Sequence, residues 1–327
     1  MSMPLRWLFL ILLGVCFVGC QKDKDVFIPN EISIDDVQGK VEDLLTNVSR
    51  QAETFQWDPS QSQTLFTQAG SRLTIPANAF MLLDGTSELT GLIQVKIKEV
   101  MHKGDMIRFR LPATSEEQLM ETFGALNISA EMDGQPLALK AGVNIDWDIP
   151  TDNFSGDLNL FYGLETNVSN LEWVGATEVF SNQAPVRPVK ILTPNGESLN
   201  AYKAQPQQLG WWSCSRFVTR EMSGAESAVV IELPELFNEQ NSAVFLVFEE
   251  RRTVIPLFQD EIEGDSQFSS PLVPVGEDII VVAIAEGTQG RSFLGFETLK
   301  TEQPKQTLTL PLFQRSLHTI ELFLDSL

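Results

Sequence analysis

Hydrophobic and polar positions change period along this chain, and each change marks an element. Trp7 to Val18 is an apolar run preceded by a single cation, Arg6. It is too short to span a bilayer as a helix and reads as the apolar region of a secretory signal that is removed. The chain is polar directly after Cys20, and residues 21–32 predict a tether. From Ser33 the repeat becomes helical, with Ile34, Val37, Val41, Leu44, Leu45 and Val48 on one face and Asp36 at capping-box spacing. Such a stripe predicts a short helix docked on its own domain.

From Phe55 the period becomes two. Ile93, Val95 and Ile97 alternate with Gln94, Lys96 and Lys98. Ile107, Phe109 and Leu111 alternate with Arg108 and Arg110, which predicts another strand. Leu126, Ile128, Ala130 and Met132 lead into Asp133-Gly134, a strong two-residue hairpin signal, and Leu137 and Leu139 begin the return strand. Val143, Ile145, Trp147 and Ile149 alternate with Asn144, Asp146 and Asp148. These are half-buried antiparallel strands, one face packed and one wet. Residues 181–200 carry Pro185, Pro188, Pro194 and Gly196 and read as a boundary. Beyond it, strands are expected at 228–233, 243–249, 253–258, 278–285, 292–299 and 307–313. Residues 279–285 are continuously apolar, as in a central strand covered on both faces, and 316–327 reads as a closing helix.

The expected fold is all-β: two tandem antiparallel β-sandwich (Ig-like) domains after a signal peptide and a short helix. The expected layout is a signal peptide at 1–19, tether and helix at 20–54, the first sandwich at 55–185, a linker at 186–200, and the second sandwich with its C-terminal helix at 201–327.

Charge and cysteine usage narrow the partners. The 327 residues carry a formal charge of −21, which argues against nucleic acid and against anionic membrane surfaces as direct partners. Cleavage before Cys20 removes Arg6 and no acid, leaving the mature chain one unit more negative. Of the three cysteines, Cys16 leaves with the signal and Cys20 stands at the cut point. Cys214 alone remains, so no internal disulfide forms and packed cores must supply stability.

Phe17-Val18-Gly19-Cys20 resembles the lipobox of bacterial lipoproteins, with Phe17 where Leu is usual. The resemblance implies a diacylglycerol on the Cys20 thiol and a further acyl chain on its amine, and more than one chain anchors stably. Gln21-Lys22-Asp23-Lys24-Asp25 resembles the export tag of Bacteroidetes surface lipoproteins, departing at Lys24. Together these imply an outer-membrane, lipid-anchored, cell-surface protein. The stretch from Gly70 through Ile75-Pro76-Ala77-Asn78-Ala79 to Phe80, with Asp84-Gly85 and 91–99, resembles the β-sandwich shared by ankyrins, netrin receptors and zonula occludens proteins. More closely it is similar to uncharacterised Bacteroidetes lipoproteins carrying that sandwich, in which a Gly-Trp motif opens the second half. Leu209-Gly210-Trp211-Trp212-Ser213-Cys214-Ser215 fits that motif, with Ser215 where an acid is common. Some relatives of the sandwich cut themselves at a His-Phe-Ser type motif. His102 is followed by Lys103-Gly104, so self-cleavage is not expected.

Few residues suggest chemistry. His102 and His318 are the only histidines, and nothing places a nucleophile and an acid beside either. Cys214 between aromatics reads as a small buried hydrophobe. Asp146, Asp148, Asp152, Asn153 and Asp157 are a weak calcium candidate, although Asp146 and Asp148 are the outward positions of an alternating strand. Trp211 and Trp212, adjacent on a strand, point to opposite faces. One is core, and the other is an interdomain contact or a glycan platform. No Walker loop, dinucleotide fingerprint or Gly-x-Ser-x-Gly elbow is present, and no cofactor is expected.

The leading expectation is a non-enzymatic module that binds protein or assists envelope assembly, held to the membrane through Cys20. The alternative is a surface glycan-binding lipoprotein using Trp211 or Trp212, and a more remote one is an envelope hydrolase. Exposed aromatics beside polar groups in a groove would favour glycan, and a flat apolar patch would favour protein. Cys20→Ala is expected to move the protein from the membrane to the soluble fraction on cell fractionation; retention in the membrane pellet would refute the anchor.

Overall fold

The computed structural model describes residues 38–327, apart from 86–88, 90, 117, 155, 168–169, 219–225, 260–265, 272 and 303–304. The signal peptide, Cys20, the tether and the first residues of the predicted helix lie outside the described residues. The described part of 34–327 belongs to one compact unit, and no helix in it is long and apolar enough to cross a membrane.

Helix α1 (Val41–Val48) leads into β1 (Glu53–Trp57), β2 (Gln63–Phe66), β3 (Arg72–Ile75), β4 (Phe80–Leu82) and β5 (Ile93–Val100). Helix α2 (Lys103–Arg108) precedes β6 (Thr114–Ser115), β7 (Gln118–Met132), β8 (Gln135–Leu139), β9 (Asp146–Pro150), β10 (Asn159–Asn167) and β11 (Asn170–Gly175). After α3 (Ala176–Val179) come β12 (Arg187–Leu192), β13 (Ser198–Ala204) and β14 (Gly210–Phe217). The remainder is β15 (Glu226–Glu232), β16 (Ser242–Phe248), β17 (Val254–Gln259), β18 (Gln267–Ser269), β19 (Val273–Pro274), β20 (Asp278–Glu286), β21 (Ser292–Lys300), β22 (Lys305–Thr309), β23 (Phe313–Arg315) and α4 (Leu317–Asp325).

The fold is all-β, and its described strands form three sheets. The first runs β1, β5, β7, β14, β10, β11, with β4, β6 and β8 attached; the second runs β12, β13, β9, β3, β2. They face each other as a sandwich. Ile93, Val95 and Ile97 of β5 and Leu126 and Ile128 of β7 pack with Leu73, Ile75, Trp147 and Ile149 from the second sheet. At the β7–β8 turn Asp133 (φ 50°) and Gly134 (φ 77°) both take the left-handed conformation that a tight hairpin requires. The third sheet runs β19, β15, β18, β17, β16, β20, β21, β23, with β22 beside β15 in parallel. Every residue of β16 is buried. β20 lies between β16 and β21 as the expected central strand, with Ile279, Val281, Val282, Ala283 and Ile284 buried.

A second core joins the two bodies. The outer face of the first sheet contributes Val100, Ala125, Phe161 and Trp173, and the third sheet contributes Phe245, Val247, Val282 and Ile284. Helices α1, α2 and α4 fill the space between them. Val41, Leu44, Leu45 and Val48 of the predicted stripe are all buried here. Ser316 caps α4 by accepting from the Thr319 amide. Backbone bonds also cross directly: Ala113 N donates to Val254 O at 2.9 Å and Thr122 N to Arg252 O at 2.9 Å.

Two expectations are corrected. Residues 186–200 are not a linker, and the first sandwich does not end at 185. β12 and β13 form a hairpin whose register runs from Arg187↔Lys203 to Leu192↔Ser198, and β13 pairs with β9 in the second sheet. β14 lies between β7 and β10 in the first sheet. The chain passes to the third sheet only after Phe217. Pro188 is tolerated because β12 is an edge strand. Gly196 (φ 83°) closes the hairpin tip, with Gly196 N donating to Thr193 O at 2.9 Å. Edge strands and tips thus supply the punctuation expected of a linker.

The second correction concerns Ile107, Phe109 and Leu111, which do not form a strand. Residues 103–108 are helical, and Arg110 (φ 50°) turns the chain away. Arg108, expected on a wet face, is buried with its guanidinium 2.9 Å from Asp105 and 2.7 Å from Asp325. The i,i+3 ion pair holds one helical turn where alternation alone reads as a strand.

Helix α2 meets the end of α4 so closely that a Cβ at Gly104 would overlap the Leu324 carbonyl. Gly104→Ala is therefore expected to destabilise the fold by about 1–3 kcal/mol, read from the urea unfolding midpoint. An unchanged midpoint would show that α4 can shift at no cost.

Candidate functional site

A cleft of about 910 Å³ lies at the rim of the second core. One wall is the lead into α1, where Lys40 and Glu42 face Arg110 across a 3.3 Å ion pair with Glu42. The opposite wall is the loop between β15 and β16, carrying Glu235, Glu239 and Gln240, and the floor includes the end of β17 with Phe258.

Side-chain hydrogen bonds fix that loop. Asn238 N donates to Asn241 Oδ1 at 2.9 Å, Gln240 N to Asn238 Oδ1 at 2.9 Å, and Asn241 Nδ2 to Leu236 O at 3.0 Å. These Asn turns imitate backbone turns and need no regular structure. Phe237 anchors the loop from beneath, fully buried with its ring centroid 5.4 Å from that of Phe293. Val41 N donates to Gln240 O at 3.1 Å, tying α1 to the loop. Gly39 is required beside them, since a Cβ there would sit 2.5 Å from Glu286 O. Phe258 is 46 % exposed while its neighbour Leu257 is buried, so the ring is presented to the cleft.

A smaller groove of about 330 Å³ lies where the β16–β17 turn meets β7. Several charges at it are engaged internally. Arg216 grips Glu121 with Nε at 2.8 Å and Nη2 at 2.6 Å and lies over the Phe123 ring. Lys103 Nζ donates to Phe248 O at 2.8 Å, and burial holds its ammonium below the usual lysine range.

A third feature is apolar. β23 pairs only with Ser292–Leu294 of β21, so the remainder of that strand has β20 on one side and no described strand on the other. Phe313 pairs with Leu294, which places it on the same face as Phe296. The Phe296 ring stacks on Phe323 of α4 at 4.7 Å. Phe296, Phe313 and Leu322 are each more than half exposed, an apolar patch beside an open strand edge.

The residues singled out from sequence fall elsewhere. Trp212 is fully buried in the first core, stacked on Phe180 at 5.6 Å, with its indole N–H donating to Gln208 O. Trp211 faces the other way and packs on the second core against Phe109 at 5.7 Å. Trp212 therefore offers no glycan platform, and Trp211 is half-buried against the second core. Asp148 is not an outward residue. It is fully buried and accepts from Arg72 at 2.7 and 2.9 Å, while Asp146 accepts from Lys203 at 2.8 Å and Gln205 at 2.7 Å. Both carboxylates are thus matched by cations of the protein itself. Among the described residues no cluster of His, Cys, Asp and Glu, Asp152 and Asp157 included, is placed to hold a metal ion. His102 and His318 are exposed at two helix starts. Cys214 is fully buried, and burial pushes its thiol far above the ordinary range. Ser215, where the resemblance places an acid, is buried in a hydroxyl chain with Ser213 at 2.6 Å and Thr122 at 3.2 Å.

Sequence reading missed Phe258 because β17 is apolar on both faces, and Phe296 because it directly follows the buried half of β21. The run Asn238-Glu239-Gln240-Asn241, a polar loop rich in amides, was the one available signal for the cleft.

Comparison with protein-family models, with curated proteins and with solved structures finds no match to this chain.

One buried acid has a measurable consequence. Glu99 ends β5 inside the first sandwich and accepts from Thr67, beside Ser71, whose hydroxyl takes the Trp147 indole N–H at 3.1 Å. Burial raises its pKa above the ordinary 4.5, with the Glu53 and Asp105 carboxylates adding to the effect. A raised native pKa stabilises the fold while the acid is protonated, and that contribution is lost as pH rises through the native value. Glu99→Gln keeps the neutral form at every pH. The wild type is expected to lose stability relative to this variant as pH rises above 4.5, by about 1.4 kcal/mol for each unit the pKa is raised. Parallel urea midpoints across the pH series would refute this.

Proposed function

We propose that this chain is a lipid-anchored surface module that captures an extended segment of a partner protein along the edge of β21 beyond Leu294, which no described strand pairs. The observation that carries the reading is the exposed pair of rings, Phe296 and Phe313, beside a strand edge that no described strand pairs beyond Leu294. A partner strand added there gains main-chain hydrogen bonds from the edge, and its alternate side chains rest on the rings. Exposed edges are a liability that proteins usually blunt, so an edge flanked by rings favours a use for it. The lipobox at Cys20 supports anchoring, and the acidic body supports a protein held away from an anionic envelope. The reading is non-enzymatic and needs no cofactor.

Two measurements test it. Protease treatment of intact, washed cells is expected to digest this chain while a periplasmic control survives. Full protection would place the body in the periplasm and overturn surface display. A photo-crosslinking residue at Thr298 is expected to attach in cells to one partner, through an extended segment of it. Phe296→Ser with Phe313→Ser should remove that adduct and leave the unfolding midpoint within about 0.5 kcal/mol. The same adduct in the double variant, or none in the parent, would overturn strand capture.

A further inference from the structure

The polar cleft carries an inference independent of strand capture. Its volume, about 910 Å³, falls among small-molecule sites of roughly 300–1,000 Å³. Its chemistry is unusual for a surface dip. Phe258 contributes one ring, 46 % exposed, at the end of β17. The cleft is also lined by Gln38, Gln240, Glu235 and Glu239, and by Gln259, whose Oε1 accepts from Glu239 N at 3.5 Å.

Each requirement of a sugar is present. A hydroxyl both donates and accepts, and amides offer both functions while carboxylates accept two donors at once. The apolar C–H face of a pyranose needs a flat ring beneath it. Lys40 and Arg110 stand against Glu42, Glu235 and Glu239, so the cleft is close to charge balance and does not suit a polyanion. The polar lining does not suit a lipid.

A peptide is disfavoured for a separate reason. The loop's main chain is already committed: Gln240 N bonds Asn238 Oδ1, Gln240 O accepts from Val41 N, and Ser242 N donates to Asn238 O at 2.8 Å. These bonds engage the loop's main chain, and recognition falls to side chains. The bracing by Asn238, Asn241 and Phe237 also fixes the wall in advance, which reduces the ordering cost of binding.

We infer that this cleft binds a short neutral oligosaccharide, with one sugar ring stacked on Phe258 and its hydroxyls held by Gln240 and Glu239. The test is saturation-transfer NMR on the detergent-solubilised full chain with maltotriose, cellotriose, laminaritriose and N-acetylchitotriose at millimolar concentration. At least one trisaccharide is expected to bind, with strongest transfer to the C–H protons of one ring. Phe258→Ala should weaken it by about tenfold, and Glu239→Gln should weaken it measurably. Lys190→Ala, exposed on β12 of the second sheet, should leave it unchanged. Absence of binding by all four sugars would overturn the inference. So would equal binding by Phe258→Ala, or displacement of the sugar by the tripeptide Gly-Phe-Gly at equal concentration.

Discussion

The first sheet is covered on both faces, and the rest of the molecule depends on what covers the second. An isolated sandwich would leave Val100, Ala125, Phe161 and Trp173 facing water. Here they meet Phe245, Val247, Val282 and Ile284 across three helices. The helices are short, and their stability comes from this packing rather than from propensity. At their centre Arg108 binds Asp105 and Asp325, and Arg50 reaches both acids at 3.0 Å. Burial alone would raise the pKa of Asp325, but the hydrogen bonds from Arg108 and Arg50 hold it below the ordinary range. A buried ion pair is a weak source of net stability. Its effect here is positional: it sets α2 against α4 and turns a segment of alternating pattern into a helix.

Much of the fold was legible because it depends on local pattern. The stripe of α1, the turn at Asp133-Gly134, the apolar run of β20 and the Ser316 cap each follow from a few neighbouring residues. The failures share one cause, since each depended on a layer far away in sequence. Arg108 and Asp148 were assigned to wet faces because alternation says nothing of what lies above a strand. Arg108 is covered by α4, and Asp148 is met by Arg72 and Lys203 from the strands on either side. Pro188 and Gly196 could mark a linker, an edge or a hairpin tip, and only the pairing of β13 with β9 decides between them.

The candidate sites were less legible than the fold for a related reason. Tryptophan drew attention on the sequence, yet Trp212 and Trp211 serve the two cores. Phe258 sits in a strand with no wet face to set it apart, and Phe296 sits where β21 passes from its buried half to an exposed polar end. Exposure of one residue in an apolar strand is a property of where the covering layer stops.

That stopping point relates the two surfaces. In the third sheet β17, β16, β20 and β21 are consecutive neighbours. Val254 of β17 and Leu294 of β21 both belong to the second core. Phe258 lies four residues beyond Val254, and Phe296 lies two beyond Leu294, so strand alternation puts both rings on the face the helices cover. They stand three strand spacings apart, about 14 Å in the pairing direction. The middle of that face is closed by α1 and α4, and the uncovered margins at β17 and β21 differ in chemistry. Amides and charges from the Asn238 loop surround the first ring, while Phe313 and Phe323 extend the second. With a packed core between them, a ligand on one margin need not displace one on the other, and the same closure that joins the sandwich to the third sheet leaves two chemically distinct surfaces at its ends.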